Sequence, residues 1–327
     1  MTPLYRLRKP LLQWYQSAAR KLPWRETRDP YKIWVSEIML QQTRVAAVIP
    51  YFERFMERFP TAAALAAAPE EELLAMWSGL GYYSRARNLQ KAAQSFVEFP
   101  DDYESMLALP GVGPYTAAAV ASIAFDLPHA VLDGNVMRVI ARLTCDAGDI
   151  QSGKTKERMQ DVATALLDVK QPGLFNQAMM ELGATVCLPR DPCCGECPVA
   201  GFCEGRRAGK ERELPVKLRK MEMKRVERTV LLIERGDEIL VWKRTDTSEK
   251  LAGFWELPEA VHLPKAKLGE RLGTFRHAIT NHNYVFEVVR ARAGKVPAGF
   301  VYIGRDSLET MPLSTSARKA LQLASER

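Results

Sequence analysis

Five of the six cysteines of this chain fall in one stretch, CLPRDPCCGECPVAGFC, residues 187–203. Clustered thiols can form disulfides, bind zinc or hold an iron–sulfur centre. Cys187, Cys194, Cys197 and Cys203 read as C-x6-C-x2-C-x5-C, a compact loop with no histidine nearby. Zinc sites ordinarily take two C-x2-C pairs, or one pair with histidines, across a finger-length spacer. Only one such pair is present, Cys194/Cys197, and four thiolates this close suit either a cubane cluster or zinc. Two carboxylates add a second kind of chemistry. Asp133 in LDGNVMRVIARL precedes a helix carrying Val136, Val139, Ile140 and Leu143 on one face. That is the position of an N-cap, and the helix dipole there also keeps a carboxylate ionised. Glu37 in VSEIMLQQTRV has Trp34 and Ile38 as helical neighbours. A lone glutamate on an amphipathic helix is ordinarily a solvated surface residue.

The elements that must carry these groups follow from length, charge and pattern. A chain of 327 residues has room for two ordinary domains. Its 47% apolar and 26% charged residues are those of a soluble globular protein. The net charge of +7 and a pI near 9.1 favour a polyanionic partner, nucleic acid before membrane. The N-terminal stretch MTPLYRLRKPLLQWYQ lacks the apolar core and cleavage site of a secretory signal. The longest apolar run, 117–125, is too short to span a bilayer. An intracellular location is expected, where structural disulfides are rare, so the disulfide knot is the least favoured reading of the cysteines.

From Pro10 to about Leu182 the pattern is helical. Asp29-Pro30 reads as an N-cap with proline at the first helical position, followed by Trp34, Ile38 and Val45 at helical spacing. The alanine-rich stretch TAAALAAAPEEELLAMW forms helix until Gly79 and Gly81. In LPGVGPYTAAAV (109–120), Pro110, Gly111, Gly113 and Pro114 end one helix before another starts. Glycines there allow a ligand close to the backbone, and the new helix start favours an anion. Residues 205–229 are strongly basic with little apolar periodicity and read as a linker. After Thr229 the period switches: VLLIE and ILVWKR flank a turn at RGDE, YVFEVVRA is a further strand, and STSARKALQLASE closes the chain as a helix.

The cysteine spacing resembles the [4Fe-4S] loop of the endonuclease III and adenine-glycosylase families of DNA repair enzymes, and directly follows a helical domain as it does there. The resemblance makes Cys187, Cys194, Cys197 and Cys203 the cluster ligands and Cys193 the spare thiol. LPGVGPY resembles the helix–hairpin–helix of DNA glycosylases, with Gly111 and Gly113 gripping a DNA phosphate. Bifunctional members carry a Schiff-base lysine at the position of Tyr115, so this chain resembles the monofunctional ones. The stretch SEIMLQQT resembles the adenine DNA glycosylase (MutY-type) family most closely. That resemblance implies a reaction in which Glu37 protonates adenine and Asp133 meets the cationic sugar. Tyr115 and Asn135 would position and shield the site, and Gln42 and Tyr82 would fill the gap left by the flipped base. An apolar pocket would hold Glu37 protonated for its role.

The second domain resembles Nudix hydrolases at LAGFWELPEAV (251–261) but has no glutamate-rich magnesium motif after it. The resemblance implies binding without hydrolysis, with 8-oxoguanine read by a loop typically written H-x-F-S-H. Here that loop is HAITNH: His277 matches, Thr280 keeps a hydroxyl, and Asn281 departs from the family residue.

The expected fold is mainly α: a helix–hairpin–helix glycosylase domain with a [4Fe-4S] loop over 1–205, a linker over 206–228, and a smaller α/β Nudix-like domain over 229–327. The first domain is expected to divide into a six-helix module at about 25–133 and a cluster module built from the N-terminal helix and 134–205. The implied protein is a cytoplasmic, nucleoid-associated monomer with no membrane partner. It would act on double-stranded DNA holding adenine opposite 8-oxoguanine or guanine in base excision repair. The alternative is an endonuclease III-like glycosylase/lyase for oxidised pyrimidines.

Overall fold

The structure is a computed structural model that describes residues 4–218, 222–245, 251–279 and 281–325. The helices of the first two-thirds are α1 (Arg8–Ala18), α2 (Pro30–Leu40), α3 (Val45–Arg58), α4 (Ala62–Ala67), α5 (Glu70–Trp77), α6 (Ser84–Ala93), α7 (Tyr103–Leu107), α8 (Pro114–Phe125), α9 (Gly134–Leu143), α10 (Gly153–Leu166), α11 (Pro172–Thr185) and the short α12 (Glu204–Arg207). The strands are β1 (Lys224–Leu232), β2 (Glu234–Arg235), β3 (Glu238–Lys243), β4 (Trp255–Glu256), β5 (Lys267–Ile279), β6 (His282–Arg292) and β7 (Phe300–Gly304), followed by α13 (Arg305–Thr310) and α14 (Thr315–Ser325).

The chain forms two compact units, residues 1–66 with 88–220 and residues 67–87 with 221–327. The linear boundary expected at 205 therefore leaves out a segment. Residues 67–87, expected within the helical domain, pack with the C-terminal unit. Tyr83 packs on Phe254 with ring centroids 4.0 Å apart, and the Ser78 hydroxyl donates to the Leu313 carbonyl at 2.8 Å. No local pattern announces such a pairing, because both partners are ordinary apolar or small polar residues.

The first unit has a core in which the N-terminal helix meets residues far along the chain. Leu11 and Tyr15 of α1 pack with Val139 and Ile140 of α9 and with Phe175, Met179 and Leu182 of α11. Helices α8 and α11 are apolar on nearly every face, so they run through the interior rather than along its surface. Helix α2 ends at Leu40, short of the continuous spacing expected through Val45. Gln41–Arg44 forms a turn, and Val45 opens α3.

In the second unit β1 runs parallel to β6, which pairs antiparallel with β5, while β3 is flanked by β2, β4 and β7. Strand β1 is buried on both faces near its end. Val230 and Leu232 join a core with Ala317 and Ala320 of α14, while Leu231 and Ile233 face Leu263 and Ala291. The hairpin expected around RGDE is present, with Glu234 opposite Ile239 and Gly236 at φ +62°. Strand β1 begins at Lys224, inside the stretch expected to be linker. Four of its first five residues are exposed, which removes the apolar alternation that would have marked them as strand.

Candidate functional site

Helix α2 starts as its sequence requires. The Asp29 carboxylate accepts from the Tyr31 backbone N–H at 2.9 Å, and Pro30 occupies the first position. Every residue from Tyr31 to Met39 except Lys32 is buried. Glu37, only 5% exposed, is carried into the interior with the rest. This reverses the surface reading of a lone glutamate. Glu37 opens onto a cleft of about 670 Å³ that Gln42, Gly111, Tyr115, Asp133 and Asn135 also line.

Chemistry in the cleft turns on three oxygen-bearing side chains from different helices. The Tyr115 hydroxyl, on the first turn of α8, donates to Glu37 Oε2 at 2.6 Å, with Met180 Sδ at 3.2 Å. Burial raises the Glu37 carboxyl to about 7. The Tyr115 hydrogen bond works against the rise and the charge of Asp133 adds to it. Burial also pushes the Tyr115 hydroxyl far above its ordinary value, so it stays a donor.

Asp133 is the N-cap of α9, its Oδ1 accepting from Val136 N–H at 2.7 Å. Its other oxygen accepts from Asn135 Nδ2 at 2.9 Å. Burial raises the Asp133 carboxyl, while these bonds and nearby Arg138 oppose the rise. The cap reading and the catalytic reading of Asp133 are compatible: the cap uses one oxygen and leaves the residue on the cleft wall.

Two further features were not legible in the sequence. Arg138 donates to Asn135 Oδ1 at 2.8 Å, to the Gly183 carbonyl at 2.7 Å and to the Cys187 carbonyl at 2.8 Å. It thus ties the Asp133–Asn135 pair to the end of α11 and the start of the cysteine loop. Beside the cleft, the fully buried Glu181 carboxylate accepts from Arg20 at 2.7 Å and Arg25 at 2.8 Å. Burial alone would raise that carboxyl, but the two guanidinium groups outweigh it and hold it at about 2. Partners some 160 residues apart leave no mark in a local pattern.

At the expected hairpin, Gly111 has φ +77°, and a Cβ there would lie 2.6 Å from Asn88 Cβ. Glycine is required on both counts. Gly113 caps α8 without any side-chain bond to the helix's first N–H groups, and space around it is open. Gln42 and Tyr82, expected to enter DNA, are exposed and adopt left-handed backbone, φ 57° and 49°. Such a conformation costs of order 1 kcal/mol or more for a residue with a Cβ, which marks both as held out of the ordinary.

The cysteine loop closes around a cavity lined by Cys187, Cys193, Cys194, Cys197 and Cys203, and none of the six cysteines forms a disulfide. Burial pushes the Cys197 thiol up to about 11, and the charges of Cys187, Cys203 and Cys194 add to it. Cys194 and Cys203 are likewise raised, by burial first, and each also feels Cys187. The Arg142 guanidinium donates to Cys187 Sγ at 3.1 Å and Arg206 N–H to Cys203 Sγ at 3.5 Å. Among the described residues no three His, Cys, Asp or Glu side chains converge so as to hold a single metal ion.

In the second unit, Ile279 of β5 pairs with His282 of β6 and His277 with Tyr284, so the described residues of HAITNH lie at the end of the β5–β6 pair. His277 is half-buried and its ring is pushed down by burial, with Lys319 adding to the effect. The Asn281 carbonyl accepts from Lys224 N–H at 2.8 Å. Thr280 lies outside the described residues.

Comparisons with known proteins agree with this geometry. Residues 35–164 match the HhH-GPD superfamily of base excision DNA repair proteins. Adenine DNA glycosylase of Rattus norvegicus is 48% identical over 220 residues, 63% of this chain and 43% of that protein. This chain thus spans less than half the length of that relative. Adenine DNA glycosylase of Buchnera aphidicola (subsp. Acyrthosiphon pisum) is 34% identical over 242 residues, 72% of this chain and 69% of that protein. Among solved structures, a thermostable thymine-DNA glycosylase superposes with a TM-score of 0.55 at 28% identity, covering 62% of this chain and 98% of that one. With matched residues that include Glu37, Tyr115 and Asp133 on one cleft, the chain belongs to the adenine DNA glycosylase family.

Proposed function

We propose that this protein is a monofunctional DNA glycosylase that hydrolyses the N-glycosidic bond of adenine mispaired with 8-oxoguanine or guanine. One observation carries the reading: Glu37, raised to about 7 by burial, faces the same cleft as a second carboxylate, Asp133. Near neutral pH such a carboxyl is still partly protonated, which is what a general acid needs. Glu37 gives its proton to the flipped adenine, and the glycosidic bond breaks with its electron pair leaving on the base. Asp133 stabilises the positive charge left on the sugar, and water adds to that carbon, losing its proton to the now ionised Glu37 carboxylate, as in sugar hydrolysis by paired carboxyls. Tyr115 orients Glu37 and Asn135 orients Asp133.

None of the described residues lining the cleft is a lysine, which speaks against the lyase alternative and its Schiff base. The name of the relatives supplies the base. Gln42, Tyr82 and the Gly111–Gly113 hairpin are proposed to hold the duplex and fill the gap after flipping, which costs a few kcal/mol. The C-terminal domain, in this reading Nudix-like, reads the base opposite adenine through the HAITNH stretch with His277, Thr280 and Asn281.

The donor set of the cysteine loop fits a [4Fe-4S] cluster. A cubane carries one thiolate on each iron, so its ligands ring a cavity rather than meet at one point, as four zinc thiolates do at about 2.3 Å from the metal. Cys187, Cys194, Cys197 and Cys203 would hold it, and when bound it would brace the loop against α9 through Arg142. Cys193 lines the same cavity and is left over.

A duplex with one adenine opposite 8-oxoguanine tests the reading. Strand cleavage only after hot alkali is the expected result. Cleavage without alkali would make the protein a lyase, and no release of adenine would leave it a binding module.

A further inference from the structure

The cysteine cavity has one wall that the thiols do not account for. Glu211 lines it together with the cysteines. Its Oε2 is buried with no hydrogen-bond partner among the described residues. A carboxylate oxygen withdrawn from water without a partner is strongly unfavourable, so the position has to be held from outside the side chain. It is. Lys210 N–H donates to the Gly205 carbonyl at 2.7 Å, and Arg142 Nε donates to the Leu214 carbonyl at 2.9 Å. Arg212 pairs with Asp191 of the cysteine loop at 3.3 Å. Both neighbours of Glu211 are therefore tied to the segment that carries the cysteines. Cations stand elsewhere around it: Arg142 contacts Cys187 Sγ, and Arg206 lines the same cavity. The wall of the cavity thus carries one acidic side chain beside two basic ones.

Building on the cluster reading above, we propose that Glu211 is a charge partner of the iron–sulfur cluster and biases the bound cluster toward its more oxidised state. The physical reason is electrostatic. Reduction adds one electron, and hence one negative charge, to a site where a carboxylate already lies in a medium that screens poorly. Net charge and hydrogen bonds to the sulfurs are among the factors that set the potential of such clusters. Arg142 on Cys187 pulls the other way, so the two groups set the balance between them. Glu211 lies outside the C-x6-C-x2-C-x5-C ligand motif and is not needed for the ligand count.

The test uses the full-length holoprotein. Iron and acid-labile sulfide per chain, and the midpoint of the one-electron couple by voltammetry, are measured for the wild type, Glu211→Gln, Glu211→Ala and Glu213→Gln. Glu213 is an exposed neighbour on the same segment and serves as the control. All four proteins are expected to carry the same iron and sulfide. The midpoint should move to higher potential in both Glu211 variants and stay at the wild-type value in Glu213→Gln. An unchanged or lowered midpoint in the Glu211 variants overturns the proposal. So does loss of the cluster from both of them while Glu213→Gln retains it, since Glu211 would then hold the cluster rather than bias its charge. Wild-type protein without iron and sulfide is a different failure: it removes the cluster reading itself.

Discussion

At the scale of single residues, the cleft depends on one carboxyl kept neutral at a cost. Raising Glu37 from its ordinary 4.5 to about 7 corresponds to about 3 kcal/mol, at about 1.4 kcal/mol per unit. The folded-state value lies above the unfolded one, so this stability is present in full below about 4.5 and lost as pH rises through about 7. Glu37→Gln should therefore unfold at higher temperature than the wild type at pH 8, by up to about 3 kcal/mol of stability, with the gap closing toward pH 4.5. The same variant should release no adenine, because an amide has no proton to deliver. Thermal melts across pH and single-turnover excision check both, and equal stabilities at pH 8 would mean that Glu37 is not a strained acid. Tyr115→Phe removes the hydrogen bond that holds the Glu37 carboxyl down. Its excision rate should fall off at higher pH than the wild-type rate does. A fall-off at the same or lower pH would show that the hydroxyl is not what restrains Glu37.

At the scale of elements, the site depends on how closely α11 approaches the start of α9. A Cβ on Gly183 would lie 2.6 Å from Asn135 Cβ and 3.1 Å from its backbone, whereas one on Gly153 meets nothing within 4 Å. Replacing a helical glycine by alanine gains up to about 1 kcal/mol of propensity, but forcing atoms into a filled interior typically costs 1–3 kcal/mol. At Gly183 the clash should win. Gly183→Ala is expected to lose roughly 1 kcal/mol of stability and most of its excision rate, because Asn135 carries the second hydrogen bond to Asp133. Gly153→Ala should be at least as stable as the wild type. Denaturant melts paired with single-turnover kinetics read both, and an active, stable Gly183→Ala would mean that the two helices have room to separate.

At the scale of the whole molecule, the chain does not divide at a point in its sequence. Residues 67–87 belong with 221–327, and removing the latter would strip Leu74 and Tyr83, only 2% and 7% exposed, of neighbours such as Gly253 and Phe254. A protein ending at residue 220 is therefore expected to melt at lower temperature and to bind a hydrophobic dye that the full chain does not. Equal melting and no dye binding would show that the segment is stable without the C-terminal unit.

What the amino-acid order settled by itself was everything written in short range. The cap at Asp29, the break at Gly111 with the helix after it, the capping place of Asp133, the hairpin at RGDE and the closing helix are all present. Each is specified by neighbours within a few residues, where propensity and hydrogen-bonding geometry act directly. The cavity within residues 187–203 belongs to the same class, since the cysteines that line it lie close together in sequence. Tertiary structure decided the rest. Glu37 looks like a surface residue until the whole of α2 is buried and Tyr115 arrives from α8. Glu181 with Arg20 and Arg25, Arg138 with Cys187, and Glu211 at the cysteine cavity are likewise invisible along the chain. Burial and the electrostatics that follow from it depend on the sum of all neighbours in space. That sum exists only once distant helices have packed.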